Sequence, residues 1–185
     1  AGPYRYELSS NSGFSNPTNL IATFTSPTFS GLTDTTFSDS PLNTEADPHV
    51  YQIKFWAEDT LDIGNSDPAS SIFLSPNASD QRILLSWQAS VPWTNFSYVV
   101  FRRDGLTGPF NILDTVSTAS YLDDSLFNDS TYCYRVQSLG RYAANILDDT
   151  LINFSQIVCA VPIDTIPPCP PELSVSNNCA DVSED

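Results

Sequence analysis

The stretch TYCYRVQSLGRY, residues 131–142, changes character at every step: Tyr132, Tyr134 and Val136 recur at alternate positions, with Cys133 and Arg135 between them. A period of two marks a β-strand with one side against a core. On that reading the two tyrosines and Val136 turn inward, and Cys133 turns to the opposite face. The stretch therefore asks whether the thiol between the rings is a reactive site or a structural bond.

Strands of the same kind recur on both sides of it. Val, Ile, Thr, Tyr and Phe gather in short runs broken by Asn, Asp, Ser and Pro, and no apolar stripe at helical spacing persists. The runs predict strands at Tyr4–Leu8, Asn19–Thr25, Val50–Trp56, Ser71–Leu74, Ile83–Gln88, Tyr98–Arg102, Phe110–Thr115, Thr131–Ser138 and Ser155–Val161. Their density predicts an all-β sandwich. RRDGLTG (Arg102–Gly108) reads as a hairpin turn centred on Asp104-Gly105.

The chain has 185 residues, 41% hydrophobic and 12% aromatic, enough for a packed core in one large or two small domains. Seven Lys plus Arg stand against 22 Asp plus Glu, for a formal charge of −15. Such a field repels phosphate backbones and anionic lipid, so no nucleic-acid partner is expected. No apolar run reaches the roughly 18–20 residues of a membrane-spanning helix, so no membrane insertion is expected either. Met is absent, and the opening AGPYRYELSS has no apolar segment of the signal-peptide type. The chain is expected to be a piece of a longer protein.

An internal repeat is visible. TTFSDSPLNTEADPHVYQIKFWAED parallels ASYLDDSLFNDSTYCYRVQSLGRY, each an aromatic-Asp strand end, a polar corner and an alternating strand. Tyr51, Ile53 and Phe55 match Tyr134, Val136 and Ser138, and PASSIFLS (Pro68–Ser75) matches NFSQIVCAVP (Asn153–Pro162).

The second copy resembles the fibronectin type III domain. ILLSW (Ile83–Trp87) is similar to strand B with its core tryptophan, and FSYVVFRR (Phe96–Arg103) to strand C. LFNDSTYCYRV (Leu126–Val136) is similar to the E–F corner and strand F, with Tyr132 in the tyrosine-corner position. The resemblance implies tandem immunoglobulin-like (fibronectin type III) β-sandwiches. Residues 76–163 would form a complete domain, and residues 1–75 a domain lacking its first strands, since it opens at strand C. Residues 164–185 would be a Pro-rich linker and the start of a third module. His49 stands where the corner tyrosine of the first copy belongs, a departure from the pattern.

A narrower resemblance lies in YCYRV…LINFSQIVCAVPIDTIPPCPPELSVSNNC. It is similar to the fibronectin-like region of large Bacteroidota surface proteins that end in a gliding-motility-associated C-terminal domain and leave by type IX secretion. The resemblance implies a non-enzymatic stalk or interaction segment, exported through the periplasm to the cell surface or medium. Its implied partners are proteins at the cell surface or in the secretion machinery, with no cofactor.

The four cysteines, Cys133, Cys159, Cys169 and Cys179, allow three pairings. In the resembled sandwich strand G, carrying Cys159, lies beside strand F, which favours 133–159. Cys169 and Cys179 flank a short candidate strand and favour a local loop. The competing reading of Cys133 is a buried free thiol packing as a small apolar group. With one His and no C-x-x-C, a zinc site or a catalytic thiol with a nearby base is disfavoured. Two disulfides would place the protein in an oxidising compartment.

Other constellations are weaker. Asp123-Asp124, Asp148-Asp149 and DVSED are acidic clusters that calcium would suit, but they lack the spacing of a calcium loop and are expected to be solvated carboxylates at strand ends. Trp56 and Trp93 are the candidate ligand-binding rings for a glycan, with core or edge packing as the default, and Trp87 is expected in the core. Asn77, Asn95, Asn128 and Asn153 sit in N-x-S sequons. Five Asp-Ser/Thr-apolar triplets resemble the O-glycosylation motif of Bacteroidota, making Thr60, Thr115, Ser125, Thr150 and Thr165 glycosylation candidates. No nucleophile elbow, P-loop, zincin motif or facing carboxylate pair marks an enzyme. The alternative functions are a glycan-binding module, or spacer repeats attached to a catalytic domain elsewhere.

Overall fold

The computed structural model describes residues 2–34, 36–58, 60–143, 150–165, 169 and 172–174. The strands are β1 (Tyr4–Ser12), β2 (Asn19–Ser26), β3 (His49–Ala57), β4 (Leu61–Asn65), β5 (Ala69–Ser70), β6 (Phe73–Ser79) and β7 (Arg82–Gln88), followed by β8 (Thr94–Asp104), β9 (Asn111–Val116), β10 (Ser120–Asp123), β11 (Tyr132–Arg141), β12 (Leu151–Phe154) and β13 (Val158–Ala160). All pairings between them are antiparallel. The protein is all-β, as the residue pattern predicts.

The second unit is a two-layer sandwich. One sheet runs β10-β7-β6, the other β9-β8-β11-β12 with β13 also on β11. In β7, RILLSWQ, burial alternates at every residue, because Ile83, Leu85 and Trp87 face the core while Arg82, Leu84, Ser86 and Gln88 face out. From the opposite sheet Val100, Tyr132, Tyr134 and Val136 meet them, and Ile72, Leu74 and Leu126 complete the cluster. Trp87 packs edge-on against Tyr98 with ring centroids 5.3 Å apart. Tyr132 closes the corner, its hydroxyl accepting the Phe127 N–H at 3.1 Å. Two antiparallel sheets packed over one core make this unit a β-sandwich of the immunoglobulin-like architecture.

The first unit repeats one of those layers. Its sheet runs β2-β1-β3-β4, with β5 also on β3, the same path as β9-β8-β11-β12 with β13 on β11. Among the described residues no second sheet covers it. Tyr6, Leu8, Phe24, Phe37 and Ile53 line an open groove of about 320 Å³ on one face. Ile53 and Ile63 remain 45% and 52% exposed.

Three expectations are revised. Phe73 opens β6, which pairs with β7, so the predicted strand Ser71–Leu74 contributes to the second sandwich, and Phe73–Ser75 do not belong with the first unit. The Arg102–Gly108 turn is a wider connection: β8 extends to Asp104, β9 opens at Asn111, and Gly105 and Gly108 take φ of +83° and +103°. Thr36–Asp39, the match to β10, forms no strand. The reason is a missing partner: β10 is held by hydrogen bonds to β7, and no equivalent of β7 lies beside the first sheet among the described residues. Most of the expected third module, residues 164–185, lies outside the described residues.

Candidate functional site

Strand β11 organises the second unit through an alternation of rings and charges. On its inner side the fully buried Tyr134 hydroxyl donates to Oδ2 of Asp123 at 2.7 Å. Arg102 Nη1 donates to both Asp123 oxygens at 3.1 Å. Asp123 is thus 4% exposed and paired, which corrects the expectation of a solvated strand-end carboxylate. A buried carboxylate is tolerated only when charged and hydrogen-bonded partners replace water, and here two residues supply them. Burial, reinforced by the adjacent Asp123 carboxylate, pushes the Tyr134 phenol well above its ordinary range. Burial works against the Arg102 charge, but Asp123 outweighs it and raises the pKa of the guanidinium.

Cys133 lies directly opposite Cys159 in the β11–β13 register. The two form a disulfide with S–S 2.02 Å and Cα–Cα 4.0 Å. Alternation places Cys133 on the outer face, yet it is 0% exposed, while Cys159 on the edge strand is exposed. The thiol is therefore a structural bond. Among the described residues Cys169 is free and exposed, and its expected partner Cys179 lies outside them.

The two candidate tryptophans are separate and both engaged. Trp56 is half-buried on β3, its Nε1 donating to Glu7 Oε2 at 2.8 Å. Arg5 and Lys54 lie 5.0 and 4.1 Å from its ring centroid. Trp93 is half-buried at the end of the second sandwich, where its Nε1 donates to Asn95 Oδ1 at 3.0 Å and Tyr142 meets it edge-on at 6.0 Å. It also lies across Gly140, where an added Cβ would collide with Trp93 Cδ1. The ring packs over backbone that only glycine leaves open.

Trp93 borders the seam between the two units. Leu8, Tyr51 and Asp67 of the first unit and Pro92, Trp93 and Tyr142 of the second line a groove of about 230 Å³ there. The seam is held by hydrogen bonds converging on Ser70. Its N–H donates to the Ser90 carbonyl at 2.8 Å, its hydroxyl accepts the Ser90 N–H at 2.7 Å, and its carbonyl accepts Asn153 Nδ2 at 2.9 Å. Two residues on, Ile72 bridges Ser155, and the Gln156 amide bonds both backbone groups of Leu74. Residue pattern gave no sign of this clasp, because serine and asparagine read as loop residues until their partners, up to 83 positions away, are known.

Thr60, Thr115, Ser125, Thr150 and Thr165 are all exposed, with Thr115 alone of them lying in a strand, β9. Among the sequon asparagines, Asn128 bonds Asp80 and the Gln81 N–H, while Asn153 is taken up at the seam. Among the described residues no group of three or more His, Cys, Asp or Glu is arranged to hold a metal ion. No helix there is long and apolar enough to cross a membrane.

No family model matches the chain. One relative shares a part of it. Over 87 residues the chain is 32% identical to an amylopullulanase of Thermoanaerobacterium saccharolyticum, a match covering 43% of this chain and 7% of that protein. The likeness is between parts of two chains, and it bears on neither gliding motility nor type IX secretion.

Proposed function

We propose that this chain is a non-catalytic stalk or interaction segment of a larger protein, built from fibronectin type III-like units joined end to end. The observation that carries this is the clasp at Ser70, which ties the last strand of the first sheet to the loop after β7 and to β12. Flexibly linked units have few hydrogen bonds crossing their boundary, whereas a spacer that holds its ends apart needs them. The first unit is read as the β2-β1-β3-β4 layer of a sandwich like the second. The Cys133–Cys159 bond supports a site of action outside the cytoplasm. Export by type IX secretion, and any link to gliding or adhesion, rests on the sequence resemblance alone.

Small-angle X-ray scattering tests the stalk. The wild-type protein should fit one fixed arrangement, and Ser70→Pro, which removes the donated hydrogen bond, should broaden the distribution of dimensions. A wild-type profile already requiring many arrangements would contradict the proposal.

A second reading has its own support: part of an amylopullulanase resembles part of this chain, and the seam groove combines Trp93, Tyr142 and Tyr51 with Asp67. It makes the groove a subsite for a glucan chain, with the rings stacking on sugar faces and Asp67 accepting hydroxyls. Calorimetry with maltoheptaose should then give heat that Trp93→Ala abolishes. No binding, or binding indifferent to that change, would remove this reading and leave the stalk.

A further inference from the structure

The outer face of the β9-β8-β11-β12 sheet concentrates positive charge in a chain that has little. Of seven Lys plus Arg, Arg103, Arg135 and Arg141 project from this face, and among the described residues none of the three makes an ion pair. They stack on phenylalanines instead. Arg103 lies 4.7 Å from the Phe110 ring, Arg135 lies 5.2, 5.4 and 4.8 Å from Phe101, Phe110 and Phe154, and Arg141 lies 5.9 Å from Phe96. Stacking fixes a guanidinium in place and leaves in-plane donors for a planar anion; on Arg103 these are the two terminal nitrogens, since its Nε donates to the Gly105 carbonyl at 3.3 Å. Arg135 also keeps a buried Nε with no acceptor. Around this ladder Ile112, Ile152 and Phe154 stand 68%, 57% and 43% exposed.

We propose that this face is a docking surface for an acidic segment of a partner protein, one that alternates carboxylates with apolar side chains. Charge complementarity selects the carboxylates: fixed guanidinium donors spaced along β8 and β11 meet them with little ordering cost. The exposed aliphatic groups select the apolar side chains, since burying branched hydrocarbon rewards another hydrocarbon. A sugar fits less well, because the phenyl faces it would stack on already carry guanidiniums. The formal charge of −15 sharpens the choice of face. Screening at physiological ionic strength confines repulsion to about 8 Å, so an acidic segment is turned away elsewhere yet accepted here. The proposal does not depend on the stiffness of the seam.

A synthetic peptide alternating Glu and Phe is the probe, titrated into the intact protein at near-physiological salt and followed by anisotropy and amide chemical shifts. It should bind, perturb amides of β8, β9, β11 and β12, and weaken as salt is raised further. Arg103→Gln and Arg141→Gln should each reduce affinity by about tenfold while keeping the Cys133–Cys159 bond. Should either variant unfold, the shift map on the wild-type protein decides alone. Absence of binding, equal binding of a control peptide alternating Lys and Phe, shifts confined to the first unit, or binding of oligogalacturonate in place of the peptide would each overturn the proposal.

Discussion

Tyr134 donates its phenolic hydrogen to Asp123 eleven positions earlier at 2.7 Å, and Tyr51 donates to Asp39 twelve positions earlier at 3.2 Å. The bond occurs once in each unit, at the positions the internal repeat aligns. In the second unit it ties the strand before the corner to the strand after it, across the two layers of the sandwich. In the first it anchors the unpaired Thr36–Asp39 segment to β3, a strand inside the first sheet. A paired hydrogen bond kept where its surrounding strand is absent is physical support for reading both units as one design.

The buried Arg102–Asp123–Tyr134 group should be the most sensitive polar point of the second unit. Asp123→Ala leaves the buried Tyr134 phenol without its acceptor and the half-buried Arg102 guanidinium with only the exposed Asp104, 2.9 Å from its Nε, and is expected to cost about 3 kcal/mol. Tyr134→Phe removes one donor and leaves the ion pair, at a cost of about 1 kcal/mol. Urea denaturation of both variants checks the order. A smaller loss for Asp123→Ala than for Tyr134→Phe would contradict the network.

Alkaline pH should weaken the fold through Tyr51. Burial, and then the Asp39 carboxylate, push its phenol from 10.0 up to about 12. A phenol kept protonated in the fold but free to ionise when unfolded contributes fully below its ordinary pKa. That contribution disappears as pH rises from about 10 through about 12, where the unfolded chain alone releases the proton. Denaturation midpoints measured across this window should fall more steeply for the wild type than for Tyr51→Phe. Parallel curves would show that Tyr51 ionises alike in both states.

Breaking the β11–β13 link by Cys133→Ser with Cys159→Ser opens a closure across a sequence separation of 26 and should cost about 2–4 kcal/mol. The measurement is the melting temperature of the double variant beside that of the reduced wild type. The two should agree, because the bond and not the residue type carries the effect.

How far the sequence reveals this depends on the range of the interaction. Alternation in Tyr132, Tyr134 and Val136 is a local property, and it correctly separates core from exterior along β11. Ile83, Leu85 and Trp87 are legible for the same reason. Asp123 was misread because a carboxylate beside another carboxylate suggests solvent, and its burial depends on Arg102 turning inward 21 positions away. One signal was available: Arg102 shares the even positions of β8 with Tyr98 and Val100, both of which pack inward. The Ser70 clasp carried no local signal. The absence of a strand at Thr36–Asp39 could not be read either, since its residues match β10 and only the partner differs.

The lone first sheet gives a further prediction. Its uncovered Ile53, Ile63 and Phe37 should bind a dye such as ANS, and Ile53→Asp should reduce that signal. Placing a second copy of residues 73–93 directly before Pro3 supplies an equivalent of β6 and β7. It should quench the dye and raise the melting temperature by letting Thr36–Asp39 pair. Unchanged fluorescence and stability would contradict the reading of this sheet as half of a sandwich.

The central claim is that the units form one rigid segment, and the distance between them tests it most directly. Pulsed electron-spin resonance between labels at Asn19 in β2 and Ser117 after β9, both exposed, reports that distance in solution. The seam at Ser70 predicts a single narrow distribution in the wild type that broadens in Ser70→Pro. A broad distribution in the wild type would contradict the account.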